Sequence, residues 1–159
     1  MTQGLPRISS GAYNSNIMLV QTPDHVVIHH EMIHESRIVP LDGRPHVGDL
    51  LRQYLGDSRG HWEGDTLVVE TTNFSDKTNF RGSTSGLRMT ERFRRVDADT
   101  LEYEVTFEDP TTWTRPWTAS TRWSASQGRI YEYACHEGNY GMVGILNGAR
   151  VQERTPPSK

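Results

Sequence analysis

Histidines and carboxylates crowd the stretch from His25 to Glu35, which is otherwise apolar. Side chains two apart on a strand share a face, so His30, Met32 and His34 would line one side. Histidine titrates near neutral pH and forms general acid–base pairs with carboxylates. The stretch therefore predicts acid–base chemistry, with His34 as base or acid, His30 and Met32 lining the ligand site, and Glu31 as an orienting group.

The same stretch allows two other interpretations. Methionine with histidine would favour copper, whereas histidine with glutamate would favour zinc or iron. Neither a His-x-His pair nor a helical His-Glu-x-x-His motif is present, so we expect no metal. The simplest interpretation is that these are ordinary strand histidines, some exposed and some hydrogen-bonded in the core. A lone strand cannot close a site, so a second element must contribute.

The second cluster, residues 132–141, is a candidate for that element. A strand here runs into a glycine-bearing turn, and strand ends often hold side chains against a ligand. His136 is the expected counterpart of His34, and Tyr133 a donor to the ligand. Cys135 and His136 are neighbours and would point to opposite faces, which argues against a Cys–His dyad.

Two further features are candidates for ligand contact. Glu70 lies in an otherwise apolar strand and would act as an electrostatic group if its face is buried, with Arg92 beside it. The alternative is that Glu70 faces water or forms a structural ion pair with Arg92. Trp117 could stack on a sugar or an aromatic molecule, although large aromatics in a small barrel are more often core.

The whole chain excludes several classes of function. It has 159 residues, 34% of them hydrophobic, and a formal net charge of −3. Its basic residues are scattered, so no nucleic-acid partner is expected. No apolar run approaches the ~20 residues that cross a bilayer, so no membrane partner is expected. No phosphate loop, dinucleotide fingerprint or nucleophile elbow is present, and we expect no cofactor.

The predicted elements are mostly strands. A short strand covers Ile17–Gln21, and His25–Leu41 is predicted as one long bent strand or two strands meeting at a bulge. Three hairpins follow, over 60–72, over 89–108, and over 113–135. In the second, Leu101, Tyr103, Val105 and Phe107 alternate with glutamates and should be buried, while Glu102 and Glu104 should be exposed. Short helices are expected at Asp49–Gly56 and from Asn139 through Leu146.

A twisted meander of this many strands tends to close on itself. We therefore expect an all-β protein, an antiparallel up-and-down meander closing into a lipocalin-like barrel or half-barrel, with a two-sheet sandwich as the alternative. Residues 1–16 would be an irregular lead-in, 17–152 a single domain and 153–159 a frayed tail.

Three strings resemble a family of uncharacterised bacterial proteins: GDSRGHWEGDTLVVETTNFSDKTNFRGS, RVDADTLEYEVTFEDPTTWTRPWT and EYACHEGNYG. The resemblance spans most of the chain after the first dozen residues. Those relatives are longer and mostly exported, so the resemblance implies export and a trimmed chain. It lends no activity and no functional residues.

The sequence thus favours an enzyme that acts on a small organic molecule by acid–base chemistry, a lyase, isomerase or hydrolase. Its expected catalytic residues are His34, His136, Glu31 and Glu70. A binding protein for an apolar or sugar-like ligand, and a histidine-based metalloprotein, are the alternatives. A homodimer is the expected protein–protein association.

Overall fold

The computed structural model describes residues 14–78, 80–134, 137–138 and 140–154. Eight strands and one α-helix form in these ranges. The strands are β1 (Ile17–Gln21), β2 (His25–His30), β3 (Glu35–Pro40), β4 (Asp57–Glu63), β5 (Thr66–Thr72), β6 (Arg88–Arg95), β7 (Thr100–Glu108) and β8 (Trp117–Ser124), and the helix is α1 (Tyr140–Arg154).

The strands form two antiparallel sheets, one in the order β1-β2-β3 and one in the order β4-β5-β6-β7-β8. The prediction of an all-β, antiparallel fold is confirmed. Closure into a lipocalin-like barrel is wrong for the described residues, because β3 and β4 contact each other without forming a hydrogen-bonded ladder. The irregular segment 41–56 separates these two strands along the chain, and the meander divides there.

The two sheets share one core. Val26, Ile28 and Val39 of the smaller sheet pack in a cluster with residues of the larger sheet such as Val69 and Tyr103. The sheets approach each other closely at Gly60, where an added Cβ would lie 2.8 Å from both Val39 Cγ1 and Leu41 Cδ2. Glycine is required there because any side chain would push the sheets apart.

The segment predicted as one long bent strand, or as two strands meeting at a bulge, forms two strands that fold back on each other as a hairpin. Residues Met32–His34 form a 3-10 turn between β2 and β3, and both Ile33 (φ 64) and His34 (φ 58) have left-handed backbone conformations. Such conformations are costly for non-glycine residues and most so for a β-branched one. No glycine or proline lies at this reversal, so local turn chemistry does not predict it.

The first two predicted hairpins are confirmed. β4 pairs with β5 around Gly64, and β6 pairs with β7 in antiparallel register. Tyr103, Val105 and Phe107 are fully buried, whereas Leu101, Glu102 and Glu104 are all partly exposed. The third hairpin is wrong, because β8 pairs with β7 and residues 129–134 form no strand.

The helix predictions had mixed outcomes. Asp49–Gly56 is not helical, because its backbone bonds to the 73–75 segment instead, with Gln53 N donating to Asn73 O at 2.9 Å. The C-terminal helix exists but runs further than expected, to Arg154, and Asn139, its proposed cap, lies outside the described residues. No helix in the described ranges is long and apolar enough to span a membrane.

Candidate functional site

The predicted catalytic residues that the structure describes lie in different surroundings. His34 is exposed and does not face a cavity. Its ring packs edge-on against the His29 ring, with the ring centroids 4.7 Å apart. The turn at 32–34 breaks strand alternation, so His30 and Met32 are buried while His34 points to solvent. His136 and Cys135 lie outside the described residues.

The 131 segment does reach the histidine-rich hairpin. The backbone N–H of Tyr131 donates to Glu31 Oε1 at 3.1 Å, across 100 residues of sequence. Asn16 donates to the other oxygen, with Nδ2 at 2.7 Å. Burial alone would raise the pKa of Glu31, but these donors outweigh it and lower the pKa. Glu31 is therefore an ionised, fully occupied acceptor that ties two chain segments to the β2–β3 turn.

The remaining predicted contacts lie at the surface, except for Trp117, which packs against the core. Glu70 is exposed. Arg92 donates from Nη2 to Glu63 at 2.6 Å, not to Glu70, so this feature is a surface ion pair. Tyr133 is partly exposed. Trp117 stacks on Phe107 with ring centroids 4.4 Å apart and packs against the core, as expected for a structural aromatic.

A buried ion pair joins the two sheets. Arg37 of β3 donates from Nη1 and Nη2 to the two oxygens of Glu91 on β6, at 2.7 and 2.8 Å. The Tyr103 hydroxyl donates to Glu91 Oε1 at 2.8 Å. Burial alone would lower the pKa of Arg37, but the Glu91 carboxylate raises it. Burial, with the Glu91 charge, also raises the pKa of Tyr103, so the hydroxyl stays protonated.

Arg37 also lines an open cleft between the free edge of β3 and the segment that leads into β4. The cleft encloses about 470 Å³. Its walls mix polar and apolar groups and are formed by two runs of the chain, residues 35–38 and residues 53–58. It lies where the two sheets fail to join, so the same geometry that prevents closure of the barrel creates the cleft.

Glu35 on the β3 wall has a partly buried carboxyl group whose burial is not fully offset by hydrogen bonds. Its Oε2 is buried and has no hydrogen-bond partner, and burial raises the pKa of the group. In the β2–β3 register Glu35 lies directly opposite the buried His30. The Nε of Arg37, two residues along on the same strand face, is also buried without a partner. Unsatisfied buried polar atoms on a cleft wall are a feature of functional sites.

Asp57 on the opposite wall has the reverse environment. Its Oδ2 accepts from Val47 N at 3.0 Å and lies 2.9 Å from His46 Nδ1, and its Oδ1 accepts from Arg59 Nη1 at 2.7 Å. Burial alone would raise the pKa of Asp57, and these partners lower it. The carboxylate thus stays charged and orients the His46 ring through Nδ1, which leaves Nε2 for a reacting group.

The wall that carries Asp57 is held firmly. A Cβ on Gly56, whose φ is +72°, would lie 2.7 Å from both Thr71 Cγ2 and Thr72 O. Asn73 Nδ2 donates to Val47 O at 3.0 Å and fixes the segment that carries His46. Packing and backbone hydrogen bonds therefore position Asp57 and His46 before any ligand arrives.

Sequence reasoning missed Glu35, Arg37, His46 and Asp57. Arg37 shares a strand face with the apolar Val39, and Glu91 shares a face with the apolar Met89 and Phe93. One charged residue on each apolar face could have suggested a buried ion pair. Nothing in the spacing linked His46 to Asp57, because the loop between them decides that contact. The described residues contain no group of three or more metal-ligating side chains.

Comparison of the chain with protein-family models, with curated proteins and with solved structures finds no match. The function is therefore argued from the cleft itself.

Proposed function

We propose that the cleft between residues 35–38 and 53–58 is the active site of an enzyme that performs acid–base chemistry on a small polar organic molecule. The observation that carries the proposal is a pair of carboxyl groups on facing walls, Glu35 and Asp57, whose pKa values are displaced in opposite directions. Divergent titration of two neighbouring groups is the usual way in which one site provides both an acid and a base.

In this proposal His46 is the base. Asp57 accepts the Nδ1 hydrogen, so the lone pair lies on Nε2, and the carboxylate stabilises the imidazolium that forms when Nε2 takes a proton. His46 is not among the residues that line the cleft, but it bonds to the wall residue Asp57, and its side chain is 28% exposed. This assignment replaces His34 of the sequence-based hypothesis with a histidine that is oriented.

Glu35 is the acid. Its raised pKa keeps a proton available at a higher pH than an ordinary glutamate would. Arg37 beside it forms part of the cleft wall, with Nη1 and Nη2 each donating to Glu91 and with Nε buried. One turnover moves a proton from substrate to His46 and another from Glu35 to substrate, and exchange with water resets both. A lyase, isomerase or hydrolase reaction is compatible with this scheme.

The test is a screen of hydroxy acids, lactones and small esters for turnover or for exchange of carbon-bound hydrogen with deuterium, followed by single substitutions. His46→Gln, Asp57→Asn and Glu35→Gln should each lower kcat by roughly 10²- to 10⁴-fold, as loss of a general acid or base does. His61→Gln, at an exposed histidine on β4, and His34→Gln are matched controls and should leave kcat unchanged.

Full activity of His46→Gln together with Glu35→Gln would overturn the acid–base proposal. Loss of activity in His34→Gln alone would restore the original assignment. A compound that binds without turnover, with Kd raised by Glu35→Gln, would instead identify a binding protein.

A further inference from the structure

The outer edge of the larger sheet is open. β8 pairs with β7 from Trp117 to Ser124 without a bulge, and no other described strand pairs with it. It contains no proline and a single charge, Arg122, which lies on the face opposite the tryptophans. Edge strands of this length normally carry a device that prevents pairing with another chain. β8 has none, so its unpaired backbone groups are suited to receive another strand.

The side-chain pattern of β8 is self-complementary about Ser120. If β8 pairs antiparallel with a second β8 so that the two Ser120 residues are opposite, Trp117 faces Trp123 of the other copy. Ala119 then faces Thr121, and Thr118 faces Arg122. Inner-face residues meet only inner-face residues, as antiparallel register requires. The two Arg122 residues stay apart, four residues out of register, or roughly 13 Å.

The tryptophans add a reason for association. Trp117 and Trp123 pack against the core cluster but remain partly exposed, because the smaller sheet does not cover this side of the larger one. Two contacts between the sheets lie away from this edge, at Gly60 of β4 and at Glu91 of the central strand β6. Pairing through β8 would form two tryptophan pairs, one at each end of the seam.

We propose that two copies of this chain associate through β8, forming a continuous ten-stranded antiparallel sheet with a two-fold axis through Ser120. Both smaller sheets then lie on the same face, one at each end. This interface is independent of the proposed active site, because β8 contributes nothing to the cleft.

The test uses cysteine substitutions in a Cys135→Ala background, so that no native thiol competes. Residues directly opposite in an antiparallel pair have Cα atoms about 4.5–5.5 Å apart, within the span of a disulfide. Ser120→Cys should therefore give a covalent dimer under mild oxidation. Thr118→Cys alone should not, whereas a mixture of Thr118→Cys with Arg122→Cys should.

A charge substitution supplies a second measurement that needs no oxidation. Ser120→Lys places two like charges opposite each other at the axis and should raise the dimer Kd by about tenfold or more in sedimentation or light scattering. Ser124→Lys, on the same strand and face but beyond the paired region, is the control and should leave Kd unchanged. A monomer at all concentrations would overturn the proposal, and so would cross-linking equally efficient at 118 and 120. Slow exchange, in a monomer, of those β8 amides that do not bond to β7 would overturn it too and assign the edge to another segment of the same chain.

Discussion

The inner face of the larger sheet has two regions with different stabilising interactions. Where the smaller sheet covers it, charged groups are buried and paired, with Arg37 and Glu91 at the centre. Beyond that cover, the face consists of aromatic rings, with Phe107 stacked on Phe80 at 4.6 Å and Tyr103 stacked on Trp123 at 4.4 Å. The first region depends on geometry between two sheets, and the second mainly on apolar area.

The comparison shows where chemistry can occur in this fold. Aromatic packing needs no charged partner, since the faces of the rings are apolar. The covered region must bring donors and acceptors from separate segments into register, and it leaves Glu35 Oε2 and Arg37 Nε without partners. The cleft therefore lies beside the covered region, where some buried polar atoms have no hydrogen-bond partner.

The largest effect is expected in the aromatic region. Phe107 is fully buried and contacts the rings of Phe80, Trp113 and Trp117. Phe107→Ala removes these contacts and leaves a cavity, which should lower the free energy of unfolding by about 3–5 kcal/mol. Urea denaturation measures it, and Thr106→Ala, on the opposite face of β7, is the control. A loss below about 1 kcal/mol would show that the rings repack and that this region is not a rigid core.

The buried ion pair should give a comparable but partly recoverable loss. Glu91→Gln leaves the Arg37 charge uncompensated and should cost toward the lower end of about 3–5 kcal/mol, because the amide oxygen still accepts one bond. Replacing both partners, Arg37→Met with Glu91→Leu, should recover most of that loss, because no buried charge remains unpaired. A double variant as unstable as the sum of the two single variants would show that the pair contributes more than mutual compensation.

The smallest expected change in the free energy of unfolding is that of Glu35→Gln. It depends on pH and distinguishes Glu35 from the carboxylates that have partners. Its pKa is raised in the folded state, so its contribution to stability is fully present below the unfolded value near 4.5 and is lost as pH rises through the folded pKa. Glu35→Gln should therefore stabilise the protein at pH 7 by less than about 1 kcal/mol, since the carboxyl keeps some contact with water, and should change little at pH 4.

Unfolding of Glu35→Gln by urea at the two pH values provides the measurement, with Glu108→Gln on the exposed end of β7 as the control. Asp57→Asn should behave oppositely. The pKa of Asp57 is lowered, so its stabilisation is present above the unfolded pKa and is lost as pH falls through the folded value. If Glu35→Gln destabilises at pH 7, the carboxyl has a partner and cannot be the acid of the cleft.

Alternation and turn chemistry alone were enough to predict much of the sheet. Tyr103, Val105 and Phe107 alternate with glutamates over β7, and that period of two determines both the strand and its buried face. The Gly64 turn between β4 and β5 was equally readable, since its φ of 62° is easy only for glycine. These features are local, and neighbouring residues in the sequence determine local steric and burial preferences.

What the tertiary structure decided is the reversal at 32–34, the division into two sheets and the candidate site. Ile33 and His34 adopt left-handed backbone conformations that no nearby turn residue predicts. These conformations expose His34 to solvent and fold β3 back on β2. Arg37 meets Glu91 across 54 residues, and Asp57 meets His46 through an irregular loop. Such pairings depend on how distant segments are placed in the tertiary structure. Hydrophobic periodicity and turn residues report only local structure and do not determine that placement.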